Sequence, residues 1–152
     1  MAAPPRGHQY APWRKVSSWT CVRCGDCCKR FLVVLTPSEA LNLARKYELP
    51  MVARGAKYLM PCKADGSCLF LVEEGGVATC AIYFERPFVC RMYPFHVSRR
   101  DVGGGKEALY VDHDGTELYV YVDVTCRGVG SGTPVKSLVS VVASLWRRMV
   151  GV

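Results

Sequence analysis

Four cysteines crowd the stretch CVRCGDCC: Cys21, Cys24, Cys27 and Cys28. A Cys-x-x-Cys turn brings two sulfurs to one metal ion, and two such steps run in succession here, Cys21 to Cys24 and Cys24 to Cys27. Gly25 suits the tight turn that such a run requires. Cys28 is expected to serve a second ion, another iron of a cluster, or the core, because the side chains of neighbouring residues are expected to diverge. Five more thiols follow, Cys62, Cys68, Cys80, Cys90 and Cys126, which makes nine in 152 residues. Zinc and iron–sulfur centres both take four thiolates, so the set points to metal without choosing which. With nine thiols, at least one stands outside any pair of four-thiolate sites.

The compartment bears on this reading. No run of 18 apolar residues exists, so no transmembrane helix is expected. The segment MAAPPRGHQYAPWRK lacks the apolar stretch of a secretory signal, and a cytoplasmic location is expected. Thiols in a reducing cytosol hold metal more often than they pair, intracellular proteins of hyperthermophiles being the exception that keeps a disulfide framework as the alternative.

The elements that must position these thiols are short. Residues 1–20 carry Arg6, Arg14 and Lys15 without an acid, and Pro4, Pro5 and Pro12 favour an extended basic arm anchored by Trp13 and Trp19. FLVVLT reads as a short buried strand or a buried connection. Helix-start chemistry follows: Thr36 as cap, Pro37 in the first helical position and Glu39 closing a capping box, with Leu41, Ala44 and Tyr47 on one face. Pro50 is expected to open a second short helix over MVARGAKYLM. SCLFLVEEGGVATCAIYF reads as a hairpin around Glu-Glu-Gly-Gly, with Cys68 and Cys80 on its two strands and near each other. KEALYVDHDGTELYVYVDV reads as a second hairpin turning at Asp114-Gly115. A closing helix is expected with Thr133 as cap, Pro134 first, and Leu138, Val141, Val142, Leu145 and Met149 on its apolar face. The sum is an α+β class: a small single domain over 21–152 with two β-hairpins, short helices and a Cys-ligated metal centre.

Three segments together resemble a known family. CVRCGDCC, PCKADGSCLF and CAIYFERPFVCRMYPF are similar to the YkgJ-like CxxCxxCC cysteine-cluster family, a zinc- or iron-chelating domain. The first hallmark falls on Cys21, Cys24, Cys27 and Cys28, the Pro-Cys step on Cys62, and the hairpin cysteine on Cys68. The second hallmark falls on Cys80, Ile82, Tyr83, Arg86, Pro87, Cys90, Arg91, Tyr93, Pro94 and Phe95. The resemblance spans about residues 21–95. It implies a metal centre held by Cys21, Cys24, Cys27, Cys28, Cys68, Cys80 and Cys90. Cys62, within the resemblance, and Cys126, outside it, read as either additional ligands or core thiols. It implies no particular reaction, although a flagellin lysine methylase with a similar cluster makes membership compatible with an enzyme.

Other residues carry weaker signals. His96 follows the second hallmark and is a candidate ligand, though a hydrogen-bonded or surface imidazole is the commoner fate of such a histidine. His8 and His113 read as solvated. Arg86 and Arg91 suit either neutralising thiolates or holding carbonyls, and Arg86 reads as structural. Asp26 is expected to face solvent. Phe31, Tyr83, Phe84, Phe88, Tyr93 and Phe95 would form either a water-excluding shell or ordinary core. The net charge of +7 gathers in the arm, at Arg99-Arg100 and at Arg147-Arg148. With Tyr10, Trp13, Trp19 and Trp146 interleaved, Arg14, Lys15, Arg99 and Arg100 are candidate RNA contacts, against a plain solvated basic face. No Walker loop, Gly-x-Gly-x-x-Gly or Ser/His/Asp triad is present, so the catalytic residues are unknown.

Two functions follow as expectations. One is a cysteine-rich protein holding an iron–sulfur cluster or zinc, with electron transfer or redox chemistry and a redox partner if iron is bound. The other is a zinc-stapled basic module bound to RNA or to a ribonucleoprotein assembly such as the ribosome.

Overall fold

A computed structural model describes residues 9–50 and 52–152. His8, Arg6, Pro4, Pro5 and Met51 lie outside the described residues. In chain order the elements are β1 (Tyr10–Pro12), β2 (Ser18–Trp19), α1 (Asp26–Arg30), β3 (Val34–Leu35), α2 (Pro37–Tyr47), β4 (Val52–Arg54), β5 (Lys57–Leu59) and β6 (Leu71–Glu74). Then come β7 (Val77–Cys80), α3 (Phe88–Met92), β8 (Phe95–Ser98), β9 (Leu109–Val111), β10 (Glu117–Asp123), β11 (Thr133–Pro134) and α4 (Val135–Val150). The class is α+β, built from several small antiparallel sheets. The chain divides into two compact units, residues 1–22 with 92–152, and residues 23–91.

The first unit is centred on β10. It is flanked by β1 and β8 and continued by β9, all antiparallel, with Val120 opposite Val97 and Leu118 opposite Tyr110. Leu118, Val120 and Val122 alternate onto one face of the strand and are fully buried. They form one core with Val135, Val139, Val142, Ala143 and Trp146 of α4. The expected hairpin at Asp114-Gly115 is present, Gly115 taking φ +84. Residues 9–20 are built into this unit. β1 pairs with β10, β2 pairs with β11, and Trp13 donates Nε1–H to the Leu109 carbonyl at 3.2 Å.

The buried stripe of α4 is phased differently from the expected one. Val141 is exposed, and Leu138, Leu145 and Met149 only flank the core. Apolar residues occupy adjacent positions at 138/139, 141/142 and 145/146, so composition leaves the helix phase open, and packing chooses Val139 and Trp146. The helix also starts one residue late: Pro134 is the cap, with no side-chain cap bond, because Thr133 is taken by pairing with Trp19. Its last turn is tied to the β9–β10 turn through Arg147, which donates to Asp112 (2.8 Å) and Asp114 (2.6 Å).

The bonds from Arg147 hold both carboxyls below the usual carboxylate range. A carboxylate depressed by folding stabilises the fold above its unfolded value, about 3.9, and that contribution is lost as pH falls through the folded value. Arg147→Met is therefore expected to lower the urea midpoint of unfolding at pH 6, with the gap to wild type shrinking towards pH 2. An equal gap at both pH values would refute the linkage.

In the second unit the capping box at Thr36 forms as expected. Thr36 Oγ1 accepts from Glu39 N–H at 3.2 Å, and Glu39 Oε1 accepts from Thr36 N–H at 3.0 Å. The buried positions of α2 are Ala40 and Leu43; Leu41 points outward, and Tyr47 packs at the edge of the cluster. The helix expected over 51–60 is absent. Its described residues instead form β4 and β5, a hairpin turning at Gly55 (φ +63), with β3 added alongside β5. Val52, Tyr58 and Leu59 are compatible with strands, and Gly55 both weakens a helix and permits the turn. The Glu-Glu-Gly-Gly hairpin forms as β6 and β7. Cys80 pairs with Leu71 on it, but Cys68 precedes β6 and pairs instead with Cys62 in an isolated antiparallel bridge. The segment after Pro87 carries α3.

Candidate metal centre

Four segments of the second unit supply thiols, and backbone hydrogen bonds hold those segments together. The first is the Cys run, which lies along β7: Ala78 N–H donates to the Arg23 carbonyl at 2.9 Å, while the Arg23 guanidinium reaches the Ala78 carbonyl (3.3 Å) and Thr79 Oγ1 (2.6 Å). Arg23 takes φ +55, a costly conformation for a residue with a Cβ, and those three bonds offset the cost. Gly25 follows at φ +81, caps α1, and receives Cys28 N–H on its carbonyl. The second segment is joined to the first by Cys68 N–H donating to the Cys28 carbonyl at 2.7 Å. The third, Cys80, ends β7, and Ala81 N–H donates to the Phe70 carbonyl.

The fourth segment is α3, which carries Cys90, and it is placed by Glu39. The second carboxylate oxygen of Glu39 accepts from Phe88 N–H at 2.8 Å, so one side chain caps α2 and also takes an orphan amide at the start of α3. Arg91 Nε–H donates to the Arg86 carbonyl and Arg86 Nε–H to the Tyr83 carbonyl, so both arginines hold backbone carbonyls.

The sulfurs of these segments feel one another. Cys27 and Cys28 influence each other most strongly, which holds Cys27 down and pushes Cys28 well up. Cys90 is pushed up chiefly by burial, then by the charges of Cys68, Cys27 and Cys80. Cys68 and Cys80 are raised first by burial as well. The Arg86 guanidinium works in the opposite direction on Cys27, Cys80 and Cys90, favouring their thiolates. Cys68, Cys80 and Cys90 pack against the apolar cluster of Val33, Leu35, Ala40, Leu43, Met60 and Ile82.

Cys27, Cys28, Cys68, Cys80 and Cys90 thus share one partly buried neighbourhood beside a compensating cation. In type, this is the soft-donor set of a zinc or iron centre. Among the described residues no three His, Cys, Asp or Glu side chains are arranged to hold one ion, so the five thiols share a region without meeting at a point.

The remaining candidates lie elsewhere. Cys24 is half-buried in the run, and Cys62 is exposed, its thiol directed at the Met60 carbonyl. Cys21 and Cys126 belong to the first unit. There Thr20 N–H donates to the Gly128 carbonyl and Trp19 bridges to Val129, so the segments carrying Cys21 and Cys126 run side by side. Cys126 Sγ accepts from Trp19 Nε1–H at 3.3 Å. His96 packs edge-on to Tyr10, and burial lowers its pKa. Asp26 is half-exposed as the first residue of α1, and His113 is exposed beside Asp112.

Of the aromatics expected in a shell or in ordinary core, Phe84 is 94% exposed and Tyr83 53%, while Phe95 belongs to the core of the first unit. The aromatics considered as RNA contacts pack within the first unit. Trp146 is buried, Trp13 and Trp19 are hydrogen-bonded within the unit, and the Arg14 and Arg99 guanidinium groups lie over the Trp13 and Trp146 rings. Lys15 and Arg100 are exposed.

A family model, CxxCxxCC, described as "Putative zinc- or iron-chelating domain", matches residues 20–127. The chain belongs to the CxxCxxCC family. The sequence motifs that resemble the family end at Phe95, whereas the match runs on through the β9–β10 hairpin to the turn bearing Cys126. No curated protein and no solved structure gives a significant match. No described helix is long and apolar enough to cross a membrane.

Within this CxxCxxCC domain, sequence reasoning missed Arg23 and the second role of Glu39. Neither has a local signature, since each acts on a segment more than 45 residues away. Gly25 was legible, and the structure adds a second reason for it: a Cβ there would lie 2.8 Å from the Ala78 Cβ. Gly25→Ala is expected to destabilise the second unit by about 1–3 kcal/mol through the left-handed backbone alone, and to weaken metal binding in parallel. Chelator competition and urea unfolding check this; an unchanged affinity would show that the run does not depend on its seat against β7.

Proposed function

We propose that residues 23–91 form a metal-holding module in which Cys27, Cys28, Cys68, Cys80 and Cys90, with Cys24 from the same run, supply thiolates to zinc or to an iron centre. One observation carries the reading: hydrogen bonds tie four separated thiol-bearing segments together, Cys68 N–H on the Cys28 carbonyl, Ala78 N–H on the Arg23 carbonyl and Phe88 N–H on Glu39, with Cys68, Cys80 and Cys90 packed against one apolar cluster. Thiolates gathered in one partly buried region destabilise one another as anions, and a divalent or trivalent ion removes that cost. The family description, zinc- or iron-chelating, supports the same chemistry.

When bound, zinc would cross-link the four segments, and an iron centre would add electron transfer. The protein's own part is to gather the sulfurs and lower their charge. Arg23 and Gly25 seat the run on β7, Glu39 sets the start of α3, and Arg86 favours the thiolates. Because thiols lose protons on ligation, loading releases protons, and metal affinity falls as pH drops below neutral.

The test is anaerobic purification followed by elemental analysis and visible absorption. About one metal equivalent per chain or more is expected, brown if iron–sulfur and colourless if zinc. Preparations that stay metal-free after anaerobic supply of zinc, and of iron with sulfide, would overturn the reading.

A further inference from the structure

The geometry points to Cys62 and Cys68 as a dithiol that closes to a disulfide on oxidation and thereby withdraws Cys68 from the thiolate set. The two residues face each other in an antiparallel bridge. The flanking bonds define the kind of pair: Lys63 N–H donates to the Ser67 carbonyl (2.8 Å) and Leu69 N–H to the Pro61 carbonyl (3.1 Å). Both bonds lie outside the facing residues, which makes Cys62 and Cys68 a non-hydrogen-bonded pair. Such pairs bring Cα atoms to about 4.5 Å with both side chains on one face. A disulfide needs Cα atoms about 4.4–6.8 Å apart, so the backbone already fits.

Access and chemistry agree with the placement. Cys62 is exposed and Cys68 half-buried, so an oxidant meets Cys62 first. The oxidant class is a peroxide. The Cys62 sulfur attacks one peroxide oxygen, the O–O bond breaks, water leaves, and Cys62 becomes a sulfenic acid. The Cys68 sulfur then attacks the Cys62 sulfur and expels the second water. Two thiols and one hydrogen peroxide give one disulfide and two waters, the sulfurs losing two electrons and the peroxide gaining them. A dithiol reductant reverses the step by exchange. Among the described residues, Cys62 is the one exposed thiol of the second unit.

The loss of Cys68 as a ligand rests on the proposed function; the disulfide does not. The experiment therefore has two arms. In the first, the protein, with or without metal, is treated with stoichiometric hydrogen peroxide, and disulfides are mapped by mass spectrometry. Trypsin separates Cys62 from Cys68 after Lys63, and cleavage after Glu73 or Glu74 separates Cys68 from Cys80 and Cys90. A Cys62–Cys68 linkage is expected as the first product, removed by dithiothreitol; a first product at Cys27–Cys28 or Cys80–Cys90 overturns the proposal. In the second arm, peroxide-driven metal release is followed with a chromogenic chelator. Cys62→Ser is expected to load metal normally and to release it several-fold more slowly. Equal release from wild type and Cys62→Ser would overturn the switch while leaving the disulfide standing. Failure to load metal at all would sink the proposed function and leave the first arm decisive for the pair.

Discussion

Cys90→Ala is expected to weaken metal binding by more than a hundredfold and to unfold the second unit in the presence of chelator concentrations that wild type withstands. Cys90 sits where burial opposes its ionisation, and it interacts with Cys27, Cys68 and Cys80 together. A central donor cannot be replaced by water without rearranging the others. Even groups that only orient metal ligands are worth about 10–100-fold in affinity, so a donor is worth more. By mass action, a metal present at about 100 times its dissociation constant stabilises the fold by about 2.7 kcal/mol, which the variant forfeits. The apolar cluster of Val33, Leu35, Ala40, Leu43, Met60 and Ile82 is small, so the second unit has little to fall back on. Chelator competition gives the affinity, and hydrogen exchange across α2 and β3 to β7 reports the unit. The alanine replaces one small buried side chain with another, so packing alone predicts little change. An affinity within tenfold of wild type would remove Cys90 from the ligand set.

Asp123→Ala is expected to cost the first unit about 2–5 kcal/mol, through loss of hydrogen bonds to a charged acceptor and exposure of their donors to an apolar surrounding. Asp123 is fully buried at the end of β10. One carboxylate oxygen accepts from Thr125 N–H (3.0 Å) and Thr125 Oγ1–H (2.5 Å), and the other from Tyr93 O–H (2.9 Å). Its own N–H donates to the Pro94 carbonyl. Its charge also helps push Tyr10 up to about 12, after burial, which keeps that phenol neutral at β1. The residue therefore joins the start of β8, the end of β10 and the turn leading to Cys126. Asp123→Asn keeps the shape and one acceptor and should lose clearly less. Urea unfolding of both variants is the measurement; an alanine variant as stable as the asparagine one would show that the carboxylate bonds contribute nothing.

The family was legible in the residues because its signal is one of local spacing: the steps of three within Cys21 to Cys28, and the ten residues from Cys80 to Cys90. How those segments are seated was not, because Arg23 and Glu39 act on partners far along the chain. The capping box at Thr36–Glu39 and the turns at Gly75-Gly76 and Asp114-Gly115 were also legible, each a matter of four or five residues. What only the tertiary structure decided involves distant partners. The phase of α4 was open because apolar residues line more than one stripe of it, and the sheet face it meets selects Val139 and Trp146. Pro50 is compatible with a helix start, but pairing with β3 and a left-handed Gly55 make the following residues a hairpin. Trp13, Trp19 and Trp146 look like a stacking surface in a basic sequence, but they pack in or against the core once α4 meets its sheet. Cys62 and Cys68 look like two more ligands, and a pair of backbone hydrogen bonds makes them face each other. Spacing within a turn is set by covalent geometry and can be read from letters, whereas burial and pairing between distant segments are set by which surfaces find each other when the chain folds.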